Sequence, residues 1–93
     1  MHMIRTGIYG TLATTRKHIG QLLSDSRFSI TGISGIPEEN TVTLANEYNL
    51  PFFTDEALLI EHSDIIDITC CNDSSFQLAL LAVRNFRYVF LDD

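Results

Sequence analysis

The stretch that decides the fold is residues 4–15, Ile-Arg-Thr-Gly-Ile-Tyr-Gly-Thr-Leu-Ala-Thr-Thr. It has the pattern of a buried strand that runs into a tight turn at Gly10 and then into a helix. In proteins that alternate strands and helices, such a junction is where a phosphate or a dinucleotide binds. A full dinucleotide-binding fingerprint has two further glycines, but this chain has Leu12 and Thr15 at those positions. The stretch therefore predicts the architecture more clearly than the activity.

Size and charge narrow the class of protein. The 93 residues suit one small domain, close to the lower size limit for a self-sufficient core. A net charge of −6 argues against nucleic acids and anionic membranes as partners, because both repel a negative surface. No apolar run approaches the ~20 residues that span a bilayer, and the start leaves no room for a signal peptide. We therefore expect one cytoplasmic domain over residues 1–93.

The rest of the chain alternates short apolar runs with helical patterns. Predicted helices start near Ala13, Pro37, Thr54 and Ser75, and the last one ends near Asn85. The five predicted strands are Ile4–Tyr9, Phe28–Ser34, Pro51–Phe53, Asp64–Cys70 and Tyr88–Leu91. Such alternation predicts an α/β fold, a doubly wound, Rossmann-like parallel sheet with strand order 3-2-1-4-5 and helices on both faces.

Three connecting segments would meet at the carboxyl ends of these strands. They are residues 10–15, 34–37 and 70–75, and any small ligand is expected there. The helix after Gly10 would direct free N–H groups at an anion, and nearby threonine hydroxyls and the charges of Arg16 and Lys17 would assist. The alternative is that the threonines cap the helix and that Arg16 and Lys17 are solvated surface charges.

Several stretches together resemble the N-terminal domain of the glucose–fructose oxidoreductase and inositol dehydrogenase (Gfo/Idh/MocA) family. They are residues 4–11 as quoted above, Phe-Ser-Ile-Thr-Gly-Ile-Ser at 28–34, Ala-Asn-Glu-Tyr-Asn-Leu-Pro at 45–51 and Asp-Ile-Ile-Asp-Ile-Thr-Cys-Cys-Asn-Asp at 64–73. Leu-Ala-Leu-Leu-Ala at 78–82 and Tyr-Val-Phe-Leu at 88–91 continue the resemblance, which spans essentially the whole chain. The resemblance implies a domain that binds NAD or NADP. It also implies hydride transfer at a substrate held by a second, mostly β-sheet domain, which this chain lacks. We therefore expect no catalysis by the 93 residues alone.

The resemblance also implies which residues face the cofactor. The expected positions are Gly10, Thr11, Leu12, Ala13, Thr14, Ser34, Gly35, Cys70, Cys71, Asn72 and Ser75.

Several of these positions depart from the family pattern. Leu12 replaces a glycine of the phosphate loop, and Gly35 replaces the residue that contacts the adenosine ribose. Cys70-Cys71 replaces a Thr-Pro pair of the family pattern, and Ser75 replaces a histidine. Asp92-Asp93 replaces the start of a Glu-Lys-Pro motif whose lysine lies near the nicotinamide, and these aspartates would repel a pyrophosphate. The departures predict weak cofactor binding, and no catalytic residue is assigned.

The remaining reactive side chains favour structural roles. His18 and His62 have no evident acid or nucleophile partner in the sequence, so we expect structural or exposed histidines. Ser74 and Ser75 lack the surroundings of a nucleophile and are expected to cap the last helix together with Asp73. The adjacent cysteines suit a reducing compartment, and without a second ligand pair no metal site is expected.

The last helix suggests a partner. Phe76, Ala79, Leu80 and Val83 form one apolar stripe, and further apolar residues continue around the helix. Its neighbouring strand at 88–91 would be a sheet edge. We expect a homo-oligomer through this region, or a separate chain that supplies the substrate domain. Two functions stay open: a dinucleotide-binding module of an oxidoreductase, or a degenerate, non-catalytic module for oligomerisation or ligand sensing.

Overall fold

The computed structural model describes residues 3–70 and 72–92, so Cys71 and Asp93 of the predictions above lie outside the described residues. The four strands are β1 (Ile4–Gly10), β2 (Phe28–Gly35), β3 (Ile65–Ile68) and β4 (Tyr88–Leu91). The four helices are α1 (Leu12–Leu23), α2 (Glu38–Tyr48), α3 (Glu56–Glu61) and α4 (Asp73–Arg84). None of the helices in the described part of the chain has the length and apolar character needed to cross a bilayer.

The sheet is parallel throughout, as predicted, but the prediction of five strands in the order 3-2-1-4-5 is wrong. Four strands pair in the order β2-β1-β3-β4. The predicted third strand, Pro51–Phe53, lies beside β2 but forms only one bridge, between Phe52 and Ile33. Ile33 donates to the Pro51 carbonyl and accepts from the Phe53 N–H, each at 2.9 Å. The bridge does not extend, since Pro51 has no N–H to donate and the segment is only three residues long.

Both faces of the sheet carry helices, because consecutive residues of β1 point to opposite sides. On one face Ile8 packs with Ile19 of α1, Ile33 of β2 and Leu44 of α2. On the other face the core lies under α3 and α4 and consists of Tyr9, Leu59, Ile60, Ile66, Ile68, Leu78 and Ala82. This two-sided core confirms the expected Rossmann-like layering.

Local hydrogen bonds shift some of the predicted boundaries. Asp55, not Thr54, caps α3 by accepting the Ala57 N–H at 2.9 Å. Asn72 takes the N-cap of α4, ahead of the three residues expected to cap it, and of these Ser75 contributes the reciprocal hydrogen bond. The fourth predicted strand shortens to Ile65–Ile68, where it pairs with both β1 and β4.

Candidate nucleotide-binding rim

The three connecting segments predicted to converge do lie at one edge of the sheet, which we call the carboxyl rim (described residues of 10–15, 34–37 and 69–75). Gly10 and Gly35 are direct partners at the ends of β1 and β2. The Ile36 N–H donates to the Gly10 carbonyl at 3.3 Å, and the Thr69 N–H donates to the Tyr9 carbonyl at 2.8 Å. Short backbone hydrogen bonds therefore join the first segment to each of the others.

Two glycines of the rim are required by close packing. A Cβ on Gly35 would overlap the Gly10 carbonyl oxygen, and Gly35 also has a φ of +157°. A Cβ on Gly10 would overlap the Thr69 hydroxyl oxygen and lie 2.9 Å from the Thr69 Cβ. The position at which the resembling family contacts the adenosine ribose therefore has no room for a side chain here.

The amino end of α1 presents backbone donors to the rim. Thr11 takes the N-cap position, yet its side chain makes no capping hydrogen bond. Among the described residues, no side chain satisfies the N–H groups of the first helical turn, and these groups favour an anion. Leu12, the first residue of α1, has an exposed side chain over this turn.

Threonine hydroxyls bond to one another instead of capping the helix, so the expectation of threonine caps is wrong for Thr11. The Thr11 and Thr14 hydroxyl oxygens lie 3.1 Å apart, and Thr14 donates to the Thr69 hydroxyl at 3.0 Å. The Thr15 hydroxyl oxygen lies 3.3 Å from that of Thr69. This chain of hydroxyls links the start of α1 to the end of β3.

The basic charge near the rim is partly neutralised. Arg16 is an exposed surface charge, in agreement with the alternative above, and it forms an ion pair with Glu47 of α2. Lys17 is exposed, as expected. The rim therefore attracts phosphate mainly through backbone N–H groups and hydroxyls.

On the β3–α4 side, Asn72 and Ser75 form a capping box. The Ser75 N–H donates to the Asn72 side-chain oxygen and the Asn72 N–H donates to the Ser75 hydroxyl, both at 2.8 Å. The Asn72 amide also lies 3.7 Å from the Cys70 sulfur. Ser34 and Ser75 are buried, whereas Asn72 is exposed at the rim. The capping box gives Asn72 and Ser75 a structural role, and contact with a cofactor stays a prediction for both.

The structure reveals a buried cluster that the sequence did not predict. His18 of α1 lies between two carboxylates: Nδ1 is 2.6 Å from Oδ2 of Asp67, and Nε2 is 2.6 Å from Oδ2 of Asp92. The expectation that His18 lacks an acid partner is therefore wrong. One signal was available, since Asp67 interrupts the apolar run of β3. His62, by contrast, is exposed and tilts against Phe53.

The two carboxylates set the charge of this cluster. Burial lowers the pKa of His18, but the hydrogen bonds to Asp67 and Asp92 outweigh it, so the pKa lies above its ordinary value. Burial raises the pKa of Asp67, and the bond to His18 opposes part of that rise. Among the described residues, no group of three or more His, Cys, Asp or Glu side chains is arranged so that it could hold a metal ion. Because Asp92 faces His18, part of the negative charge expected to repel a pyrophosphate is compensated.

Comparison with known proteins agrees with this geometry. A family model described as an oxidoreductase family with an NAD-binding Rossmann fold, Gfo/Idh/MocA, matches residues 4–93. Glucose-fructose oxidoreductase domain-containing protein 1 of Xenopus tropicalis is 39% identical over 69 residues, which are 71% of this chain and 17% of that protein. The mouse protein of the same name matches equally well.

Solved structures share the fold. A UDP-N-acetylglucosamine 3-dehydrogenase from Acidithiobacillus ferrooxidans superposes with a TM-score of 0.82 at 21% identity, over 98% of this chain and 30% of that one. Biliverdin reductase from Synechocystis, solved with NADP+, gives a TM-score of 0.85 at 23% identity, over 95% and 28%. The chain spans less than a third of the length of these relatives. It belongs to the Gfo/Idh/MocA oxidoreductase family and corresponds to the NAD-binding Rossmann domain of that family.

Proposed function

We propose that this domain binds NAD or NADP weakly at the carboxyl rim and does not catalyse hydride transfer by itself. The observation that carries the proposal is the amino end of α1, whose first-turn N–H groups face the rim without side-chain caps. The family match supports it. So does the solved GenD2 structure, which is in complex with NAD and superposes with a TM-score of 0.83 at 16% identity.

In this proposal each segment of the rim contacts a different part of the cofactor. The β1–α1 turn holds the pyrophosphate through backbone N–H groups from Thr11 onward and the Thr14 hydroxyl. Ser34 and Gly35 lie at the adenosine side, and Cys70, Cys71, Asn72 and Ser75 at the nicotinamide side. When bound, the cofactor supplies the hydride chemistry, and the protein positions it.

Two features make the proposed binding weak and unselective. Leu12 places an exposed apolar side chain over the turn that a pyrophosphate would approach. Gly35 offers neither an acceptor for a ribose hydroxyl nor a cation for a 2′-phosphate. We therefore expect NADH and NADPH to bind with similar affinity.

Calorimetric titration of the 93-residue protein with NADH and NADPH tests this proposal. We expect dissociation constants in the micromolar range for both, and about tenfold tighter binding in Leu12→Gly, a gain of ~1.4 kcal/mol. Leu23→Gly, at the far end of the same helix, is the control and should leave binding unchanged. No heat at millimolar cofactor in either the parent protein or Leu12→Gly would reject cofactor binding.

The second candidate is a non-catalytic module that acts through assembly or ligand sensing. It is favoured by the exposed apolar side chains of α4 and β4: Phe76 (61% exposed), Val83 (59%) and Leu91 (57%). β4 is a sheet edge in the described chain, so its backbone is open to another strand. The proposed partner is a second copy of the chain, with a separately encoded substrate domain as the alternative. We also propose a cytoplasmic location, in keeping with the adjacent cysteines of the sequence.

A further inference from the structure

A groove opens on the face of the sheet that carries α1, away from the carboxyl rim. It has a volume of about 380 Å³, and its lining includes Thr6, His18, Leu22, Ile65, Asp67 and Phe90. α1 and α2 pack on β1 and β2 on this side, whereas α4 packs on β3 and β4 from the opposite side. Within the described part of the chain, the groove therefore lies where β3 and β4 lack a covering helix. Its volume is that of a small-molecule site.

The walls of the groove combine apolar surface with negative charge. Leu22, Phe28, Ile65 and Phe90 supply the apolar surface. Three carboxylates also line it: Asp67 and Asp92, which contact His18, and Asp25, which pairs with Arg27. Among the described residues, His18 is the one lining side chain that can carry a positive charge, and two of these carboxylates already contact it. The groove therefore favours a cationic ligand.

Two polar atoms in the lining lack a partner among the described residues. The Thr6 hydroxyl oxygen and Oδ1 of Asp67 are buried and make no hydrogen bond, although Oδ2 of Asp67 contacts His18. The Thr6 and Asp67 residues are only 2% and 6% exposed. Buried polar atoms are nearly always paired in folded proteins, so such orphans call for a ligand. The missing group must donate hydrogen bonds, because a carboxylate oxygen accepts only.

We propose that this groove binds a small organic amine. The protonated amino group would donate to Oδ1 of Asp67 and to the Thr6 hydroxyl, and an apolar body would lie on Ile65, Leu22 and Phe90. A nucleotide does not suit the groove, since its phosphates would meet the three carboxylates. A neutral apolar molecule would leave Oδ1 of Asp67 unsatisfied.

The experiment is a set of amide chemical-shift titrations with three probes of matched size: phenethylamine, phenethyl alcohol and phenylacetate. We expect phenethylamine to shift the amides of Thr6, Leu22, Ile65 and Phe90, with at least tenfold tighter binding than the alcohol and no binding of phenylacetate. Equal binding of amine and alcohol would show a merely apolar cleft and overturn the proposal. The absence of amine binding at tens of millimolar would also overturn it.

Variants test the two orphaned atoms separately. Asp67→Asn keeps an acceptor for His18 but turns an amide donor or a neutral oxygen toward the groove, so amine binding should fall more than tenfold. Thr6→Val keeps the shape and removes the hydroxyl, with a smaller loss. Glu61→Gln, an exposed change outside the groove and the rim, is the control for net charge. If the Asp67→Asn protein does not fold, the Thr6→Val protein alone tests the proposed contacts. Unchanged amine binding in a folded Thr6→Val protein would overturn them.

These titrations are independent of the cofactor proposal. Amine binding would persist in the presence of saturating NADH, because none of the described residues expected to contact the cofactor lines the groove. Mutual exclusion of amine and NADH would overturn the assignment of a second site.

Discussion

At the residue scale, buried polar contacts and close backbone packing carry information that hydrophobic patterning does not. Gly10 and Thr69 are 59 positions apart in the sequence, yet they are in close contact. The Thr69 hydroxyl fills the space that a side chain on Gly10 would occupy. That hydroxyl then bonds to Thr14 and approaches Thr15. The glycine of the turn is therefore needed for packing in this chain, whether or not a phosphate approaches.

A change at Gly10 tests this packing role. We expect Gly10→Ala to lower the free energy of unfolding by about 3 kcal/mol, because the new Cβ would overlap the Thr69 hydroxyl. Urea denaturation measures the effect, and the double change Gly10→Ala with Thr69→Ala should recover part of it. Gly20→Ala is the matched control: nothing lies within 4 Å of its Cβ, and a gain of ~0.5–1 kcal/mol is expected in the helix. Equal effects of the two glycine changes would contradict the packing role.

The His18 cluster predicts a pH dependence of stability. The pKa of His18 is raised in the folded protein above its ordinary value of 6.5, so the contribution to stability is complete below about pH 6.5. It is lost as the pH rises through the folded-state pKa, when the imidazole loses its charge between Asp67 and Asp92. We expect the melting temperature to fall as the pH increases above 6.5.

Thermal melts of the parent protein and of His18→Gln across this pH range make the comparison. In the His18→Gln protein the melting temperature should fall much less as the pH increases. In the His62→Gln protein, where the changed residue is exposed, it should fall as in the parent protein. A parent protein that melts at the same temperature throughout the range would contradict the prediction.

At the element scale, helix and strand ends depend on which polar side chain reaches the backbone. The run Asn72-Asp73-Ser74-Ser75 contains four residues with capping chemistry, and tertiary structure selects Asn72 with Ser75 as its reciprocal partner. Similarly, Phe52 pairs with Ile33 at one bridge only, because the chain turns away into α3. The four strands and four helices therefore follow from pattern, whereas their ends and the loss of the predicted strand Pro51–Phe53 follow from contacts.

Capping of α4 is testable by alanine substitution. We expect Asn72→Ala to cost about 1 kcal/mol of unfolding free energy, since it leaves the Ser75 N–H without its acceptor. Ser74→Ala, an exposed change in the same turn, is the control and should stay within about 0.5 kcal/mol of the parent protein. Chemical denaturation gives both values. A larger loss in Ser74→Ala than in Asn72→Ala would reject the assigned cap.

At the scale of the whole molecule, the uncovered surfaces are on the side of β4 and α4. Exposed large apolar side chains concentrate in residues 76–91, and Phe86 is 91% exposed. Exposed apolar side chains that are concentrated in one part of a chain favour association with a partner, and we propose self-association here. The acidic groove on the α1 side is a different surface, with polar atoms that require a specific donor.

Self-association through α4 and β4 predicts a concentration-dependent mass. Sedimentation should show a shift from 10.5 kDa toward about twice that value as the concentration increases. Val83→Lys and Phe76→Lys should shift the equilibrium toward the monomer by at least tenfold, since burial of a lysine charge opposes association. Leu23→Lys is the matched control, because Leu23 is 58% exposed but lies on α1. A strictly monomeric parent protein at high concentration would reject this interface.

The sequence alone determined the parallel α/β layering, the two-sided core and the meeting of three loops at one rim. These follow from short-range patterns, because strand and helix periods repeat within a few residues and parallel strands place their carboxyl ends together. The resemblance, which spans essentially the whole chain, identified the family without reference to any tertiary contact. The tertiary structure alone decided the rest: the reduction of Pro51–Phe53 to a bridge, the cluster around His18 and the acidic groove. His18 is 49 positions from Asp67 and 74 from Asp92, and no local pattern encodes a contact between residues so far apart.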